Sequence, residues 1–247
     1  MKRLILASAF LLCLGAAAAP LPYQLDGTEV RDIHSASLKR DYQLLVALPE
    51  SYGSSQRRYP VLFVTDANYA FPLARAIASR LAKHAGMEEV IVVGLSYARG
   101  DTPGYSRRRD YTPSTPRSQT YVSDMPGRAL AFGEAGAYGR FIAGEVFPLI
   151  AAQYRADMRR KAFVGHSYGS LLGLEILLTE PATFEHYILG SPRCGSTAAC
   201  CSSASRPTPR QGATCRLRCI SASAGARRWR RASAARVRKK RPTWWPT

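Results

Sequence analysis

One pentapeptide constrains this chain more than any other feature. Gly165-His166-Ser167-Tyr168-Gly169 lies between the apolar run Ala162-Phe163-Val164 and a helical stretch over residues 167–178. A G-x-S-x-G match is common in isolation. Placed where a strand turns into a helix, it demands a sharp bend, and small residues at both ends let the backbone bend and the two elements approach. The pattern therefore predicts Ser167 standing at the carboxyl end of a sheet strand, against the positive end of the following helix.

The rest of the chain supplies a sheet around that bend. Residues 42–48 (YQLLVAL) read as an early strand ended by Pro49. Val61-Leu62-Phe63-Val64 and Val90-Ile91-Val92-Val93-Gly94 are continuous apolar runs of the kind buried on both faces of a parallel sheet. Between them, residues 71–84 repeat Leu73, Ile77 and Leu81 at helical spacing and stop at Gly86. Residues 100–127, rich in Gly, Pro, Ser, Thr and Arg, read as a long surface loop. Residues 138–154 are amphipathic, with Phe141, Ile142, Val146, Leu149 and Ile150 toward the core, and Tyr187-Ile188-Leu189-Gly190 is a last strand. Strands alternating with helices imply an α/β fold, a mostly parallel sheet with helices on both faces.

On such a sheet the Tyr168 N–H is one donor for an oxyanion, and the turn Thr65-Asp66-Ala67-Asn68 after the 61–64 strand brings the second, a backbone N–H near Ala67. Asp66 invites a role as a catalytic acid, but its position ahead of the first covering helix suits shaping that turn. Arg107-Arg108-Arg109-Asp110 offers an anion site; the plainer reading is a solvated loop with a local ion pair.

Charge divides the chain in two. The formal net charge is +18 over 247 residues, yet residues 193–247 hold fourteen Lys/Arg and no Asp or Glu, leaving twenty-one basic against seventeen acidic residues before them. The same stretch carries five of the six Cys and all three Trp. At 46% hydrophobic and 21% charged, the chain as a whole can build a core and is not wholesale disordered. At the other end, Met1-Lys2-Arg3, the apolar run 4–14 and Ala16-Ala17-Ala18-Ala19-Pro20 have the layout of an export signal cleaved after Ala18, too short to span a bilayer. Cys13 follows Leu12 rather than a small residue, which argues against a lipid anchor. The expected divisions are a signal peptide over 1–18, a globular domain over 19–192 and a non-native basic tail over 193–247. The expected location is periplasmic or secreted.

At this point the chain resembles a known group. Tyr59-Pro60-Val61-Leu62-Phe63-Val64-Thr65-Asp66, Val93-Gly94-Leu95-Ser96-Tyr97, Arg108-Arg109-Asp110-Tyr111-Thr112-Pro113, Phe141-Ile142, the Ser167 bend, and Phe184 through Ser191-Pro192 follow one another as in the exported esterase branch of the α/β-hydrolases, related to esterase D and the siderophore (enterobactin-type) esterases. The resemblance covers about residues 24–192. It implies an α/β-hydrolase fold and hydrolysis of a small-molecule ester through an acyl-enzyme on Ser167. A late His would act as base, usually with a late acidic partner, and neither metal nor cofactor is needed.

The resemblance also exposes a departure. Relatives continue Ser-Pro with Ser-Leu-Trp, two further strands, the acid and the His, where this chain has Arg193-Cys194-Gly195-Ser196. Reading the codons one base back turns Cys194 into Leu, Met or Val and Gly195 into Trp or Arg. A CGN codon at Arg193 becomes Ser, Pro, Thr or Ala. Cys200-Cys201 then yields a Leu, and Trp244-Trp245-Pro246 yields Val-Ala. The tail reads as the family's own gene out of frame, with the fold truncated after about its sixth strand.

The four histidines do not replace the missing one. His166 precedes the nucleophile and points away from it, His84 ends an outer helix, His34 lies in a segment without a motif, and His186 starts the last strand, far from the bend. The chain is expected to be a poorly soluble and essentially inactive descendant of a serine esterase. A second reading makes it a non-catalytic basic protein, with residues 227–241 and Trp229, Trp244 and Trp245 binding nucleic acid or an anionic surface. Export counts against nucleic acid. The odd number of tail cysteines and the lack of a recurring C-x-x-C count against a metal site. A third reading keeps the bend and makes the substrate a lipid or peptide.

Overall fold

The computed structural model describes residues 23–116 and 122–192; the expected signal peptide and basic tail lie outside them. Six strands, β1 (Thr28–Ser35), β2 (Arg40–Ala47), β3 (Tyr59–Val64), β4 (Ile91–Leu95), β5 (Ala156–His166) and β6 (His186–Gly190), form one sheet in the order β1-β2-β4-β3-β5-β6. β2 runs antiparallel to both β1 and β4, while β4, β3, β5 and β6 are mutually parallel. Parallel neighbours need crossover connections. They are made here by α1 (Ala67–His84) between β3 and β4, and by α5 (Tyr168–Thr179) between β5 and β6. Further helices are α2 (Pro103–Tyr111), α3 (Ala135–Phe141) and α4 (Phe147–Gln153). The last two are joined by one widened turn over Ile142–Val146, just before Pro148, which has no N–H to give back.

Alternation along the strands sorts the core into two layers. Tyr42, Leu44, Val61, Phe63, Val93, Phe163 and Tyr187 face one side and pack with Tyr138, Phe141, Ile142, Leu172 and Phe184. Ala47, Val64 and Val92 face the other and meet Ala67, Phe71 and Ala78 of α1. The expected core residues of the 138–154 segment are buried, apart from half-buried Leu149.

At three places the structure goes beyond the sequence pattern or corrects it. Leu73, Ile77 and Leu81 of α1 are 62%, 58% and 40% exposed, and the inner face is made of the smaller Ala67 and Ala78 with Phe71. The helix sits close over Gly94 of β4: a Cβ there would lie 2.9 Å from that of Ala67 and 3.0 Å from the Phe71 ring, so the bare glycine makes the room that Ala67 and Phe71 occupy. The stretch 100–127 is not all surface loop, because it contains α2, in which Arg109, Asp110 and Tyr111 are buried. Its charges are not solvated. Asp110 accepts hydrogen bonds from Arg109 (2.7 and 3.0 Å), Arg40 (2.9 Å), Ser106 (2.9 Å) and Tyr42 (3.2 Å), and Arg109 also reaches Asp101 at 2.6 Å. Finally, the segment around His34 is a strand, β1, at the outer edge of the sheet.

Candidate active site

The bend forms as its sequence requires. β5 ends at His166, α5 begins at Tyr168, and Ser167 between them has φ 57° and ψ −112°. That region is sparsely populated for any residue with a Cβ and persists only where the surroundings over-determine it. They do so here. The Ser167 N–H donates to the Gly190 carbonyl at 3.0 Å, and the Ser170 hydroxyl lies 2.7 Å from the carbonyls of Gly165 and Gly190. A Cβ on Gly165 would fall within 3.0 Å of the Gly169 backbone, and one on Gly169 would run into the Thr65 side chain. Nothing larger than glycine fits at either end.

The contact of Gly169 with Thr65 joins a second turn to the first. β3 and β5 are parallel neighbours, with Val64 opposite Val164 and the Thr65 N–H donating to the Val164 carbonyl at 3.1 Å. The next residue, Asp66, adopts the left-handed conformation (φ 57°, ψ 44°) and caps α1, which starts at Ala67. Two helix starts, at Ala67 and at Tyr168, thus lie at the carboxyl ends of adjacent strands beside Ser167. Ala67 and Tyr168, the residues expected from the sequence to donate to an oxyanion, thus open the helices that follow two adjacent strands, with Ser167 immediately before Tyr168.

Asp66 is 1% exposed. Its Oδ1 accepts from Arg107 Nε at 2.6 Å and from the Tyr97 hydroxyl at 2.9 Å; its Oδ2 accepts from Arg107 Nη2 at 3.1 Å and the Tyr69 hydroxyl at 3.2 Å. Burial, reinforced by the neighbouring carboxylate, holds the Tyr97 and Tyr69 hydroxyls above their ordinary range, so both donate. Burial alone would lower the Arg107 pKa, but Asp66 outweighs it and the guanidinium stays charged. These partners suit the turn-shaping role expected of Asp66. They also correct the reading of Arg107 as a solvated loop residue. Sequence reasoning gave no role to Tyr69 or Tyr97, although Tyr97 closes the family-like stretch that begins at Val93.

Three of the four histidines stand well away from Ser167. His34 pairs across the β1–β2 hairpin with Asp41 at 2.7 Å, both well exposed, four strand spacings or ~19 Å from β5. His84 ends an 18-residue helix that starts at the site, ~25 Å away. His186 opens β6, whose other end, ~13 Å on, is the one at the bend. The His166 ring flanks Gly190 on the β6 side, 3.4 Å from where a Cβ of that glycine would stand. Residues 1–22, 117–121 and 193–247 contain no histidine. An open groove of about 900 Å³, lined by Tyr52, Arg75, Lys83 and Glu89 among others, lies at the opposite, amino ends of β3 and β4.

A family model described as "Putative esterase" matches residues 35–245. The chain belongs to this esterase family. Among curated proteins, it is 34% identical over 175 residues to the ferri-bacillibactin esterase BesA of Bacillus subtilis, covering 69% of this chain and 60% of that one. It is 31% identical over 162 residues to a siderophore enterobactin esterase of Emericella nidulans, covering 61% and 53%. The chain thus spans only 60% or less of these relatives' length. Its fold matches that of the BES protein from Bacillus cereus (TM-score 0.60, 26% identity, 70% of this chain and 66% of that one). It also matches an IroE-like serine hydrolase from Shewanella oneidensis (0.54, 30%, 65% and 49%). The chain shares with these structures the α/β-hydrolase-like sheet described above.

Proposed function

We propose that this esterase domain carries an acyl-transfer site centred on Ser167, built for a small-molecule ester of the siderophore class. One observation carries the reading: Ser167 is held at φ 57° between glycines that admit no side chain, at the start of α5. The Ser167 hydroxyl attacks the ester carbonyl, the Tyr168 and Ala67 N–H groups receive the charge that develops on its oxygen, and the alcohol leaves as an acyl-enzyme forms. Water then releases the acid. The relatives' names, a ferri-bacillibactin and a siderophore enterobactin esterase among them, support a siderophore ester as the substrate.

The first step needs a base at the serine, and the chain's four histidines all lie elsewhere. We propose that the chain as given is therefore nearly inert, because losing the base of such a site costs ~10⁶-fold in turnover. Free imidazole should substitute. The test is labelling of the full chain by a fluorophosphonate and hydrolysis of p-nitrophenyl acetate, each with and without imidazole. Expected are a rate rising in proportion to imidazole and its loss in Ser167→Ala. Ordinary esterase turnover without imidazole overturns the missing base, while labelling untouched by Ser167→Ala overturns the nucleophile.

Two further proposals concern residues outside the described ones. A frame change near residue 192 explains the basic, Cys-rich composition of 193–247; the family match, which continues to residue 245, lends it no support, and resequencing the codons around Pro192 decides it. Export by the 1–18 leader is tested by N-terminal sequencing of the mature chain. The basic binding reading predicts instead an affinity for nucleic acid or anionic vesicles that falls steeply with salt, without labelling of Ser167.

A further inference from the structure

Strand β1 is the outer edge of the sheet, and half of its main chain faces outward. The Leu48 N–H donates to the Gly27 carbonyl at 2.9 Å, and pairing with β2 runs unbroken from Thr28 opposite Ala47 to Ser35 opposite Arg40. Main-chain groups point to alternate sides along an antiparallel strand. Those of Glu29, Arg31 and Ile33 therefore turn to β2, and those of Thr28, Val30, Asp32 and His34 turn away from it. Among the described residues none pairs with the outward groups. Residues 25 and 26 leave the edge clear: the Thr28 hydroxyl donates to the Leu25 carbonyl at 2.5 Å, and Arg75 of α1 draws the Asp26 carbonyl onto the α1 face at 2.6 Å. A long regular edge templates the addition of a strand, and proteins blunt such edges with Pro, Lys or a bulge. The eight residues of β1, TEVRDIHS, contain neither Pro nor Lys, and their register has no shift. Both signs of charge stand along the strand instead, with Val30 between them 54% exposed.

We propose that a second copy of this chain adds its own β1 to this edge, antiparallel, about a two-fold axis through Val30. Symmetry leaves few registers. A two-fold axis normal to a sheet keeps each face on its own side, so a residue can meet only itself or one an even number of positions away. Centred on Val30, the strand is complementary to itself. Val30 meets the second copy's Val30 and exchanges main-chain hydrogen bonds with it, as Thr28 does with the second copy's Asp32. Glu29 meets the second copy's Arg31, and Arg31 the second copy's Glu29, at the positions where facing Cα atoms approach to about 4.5 Å. Arg31 already holds Glu29 of its own chain and the Tyr154 hydroxyl, so the seam closes into a cluster of two guanidiniums and two carboxylates. Moving the centre by one position sets Glu29 or Arg31 against itself, and a centre on Asp32 does the same to that carboxylate. Like charges directly opposite are unfavourable. The two Ser167 bends, on β5 of each copy, lie roughly nine strand spacings or ~43 Å apart in the joined sheet, well clear of the seam. The inference does not depend on the catalytic reading.

Sedimentation velocity of the full chain over a dilution series reads the dimer constant, with Glu29→Arg, Arg31→Glu and Val30→Lys beside the parent. Each variant sets like charges opposite one another across the seam and is expected to weaken the dimer ~10-fold or more. An equimolar mixture of Glu29→Arg and Arg31→Glu should associate again, to within a few-fold of the parent, because each chain then meets the opposite sign. The Glu29–Arg31 pair inside each chain stays broken in that mixture, so a purely structural role of the pair gives no recovery. Hydrogen exchange at the Val30 and Asp32 amides should slow as the chain is concentrated, while the Glu29 and Ile33 amides, already paired with β2, stay unchanged. Should Arg31→Glu not fold for want of its Tyr154 contact, Val30→Lys and the exchange pattern carry the test. A chain that stays monomeric throughout the series overturns the proposal, as does a dimer indifferent to Val30→Lys or a mixture as weak as its components. Association abolished by Leu73→Gln with Ile77→Gln would place the contact on α1 and overturn it too. So would Val30 and Asp32 protection independent of concentration, which would mean that another part of the same chain covers the edge.

Discussion

The Ser167 N–H donates to the Gly190 carbonyl at 3.0 Å, so the strained residue of the site is tied to the last residue of β6, the terminal strand among the described residues. The Ser170 hydroxyl reaches the same carbonyl at 2.7 Å. The bend is therefore held by the sheet and not by its own five residues. Strain stored in this way is recoverable.

Ser167→Gly is expected to stabilise the domain. Glycine adopts positive φ without steric cost, and a residue held in such a region stores roughly 1–3 kcal/mol. Part of the gain is returned as extra entropy of the unfolded chain. A net rise of about 1 kcal/mol in urea unfolding, with complete loss of fluorophosphonate labelling, is the expected pair of results. A Ser167→Gly variant less stable than the parent would show that the bend is unstrained.

Acid should loosen the β1–β2 hairpin at Glu145. Burial alone would raise its pKa, but hydrogen bonds from the Ser37 hydroxyl, the Ala36 and Ser37 N–H groups (2.8 and 3.2 Å) and the Ser35 hydroxyl hold it below the ordinary range. A depressed pKa means that the unfolded chain binds the proton more readily. The stabilisation is complete above about pH 4.3, the unfolded value, and disappears as pH falls through the lower folded value. Solvent screening keeps it to about 1 kcal/mol or less. Glu145→Gln should be slightly less stable at pH 7 and show a shallower loss between pH 5 and 3 in chemical denaturation. An unchanged pH slope would remove Glu145 from the account.

The outer face of α1 should respond to substitution as surface. Leu73 and Ile77 are more than half exposed, and Ile188 of β6, paired with Val164 on the α1 side of the sheet, is 59% exposed. Apolar groups left in water at one face and next to a sheet edge favour association. The triple change Leu73→Gln, Ile77→Gln and Ile188→Thr is expected to alter stability by no more than about 0.5 kcal/mol per site while raising soluble yield and lowering binding of a hydrophobic dye. A loss of several kcal/mol would show that these side chains are covered in solution.

What the sequence determined by itself was everything that depends on neighbours along the chain. The parallel strands were legible because a strand buried on both faces must be apolar throughout, as at 61–64 and 90–94. The Ser167 bend was legible because Gly165 answers to the Gly169 backbone four residues on, although Gly169 itself answers to Thr65 of the neighbouring turn. What only the tertiary structure decided involves partners from far away. Arg109 and Asp110 read as solvated because burying a charge is costly; they are buried because Arg40 and Asp101 arrive from β2 and from the loop before α2. The inner face of α1 could not be chosen from its own periodicity, since Gly94, on the next strand, sets how close the helix sits. Strand β1 carries a half-exposed edge pattern with no apolar run to announce it. The Arg107–Asp66 pair, too, joins residues forty-one positions apart. Local backbone geometry writes itself into a sequence, whereas charge compensation and the spacing of layers exist only once distant segments have met.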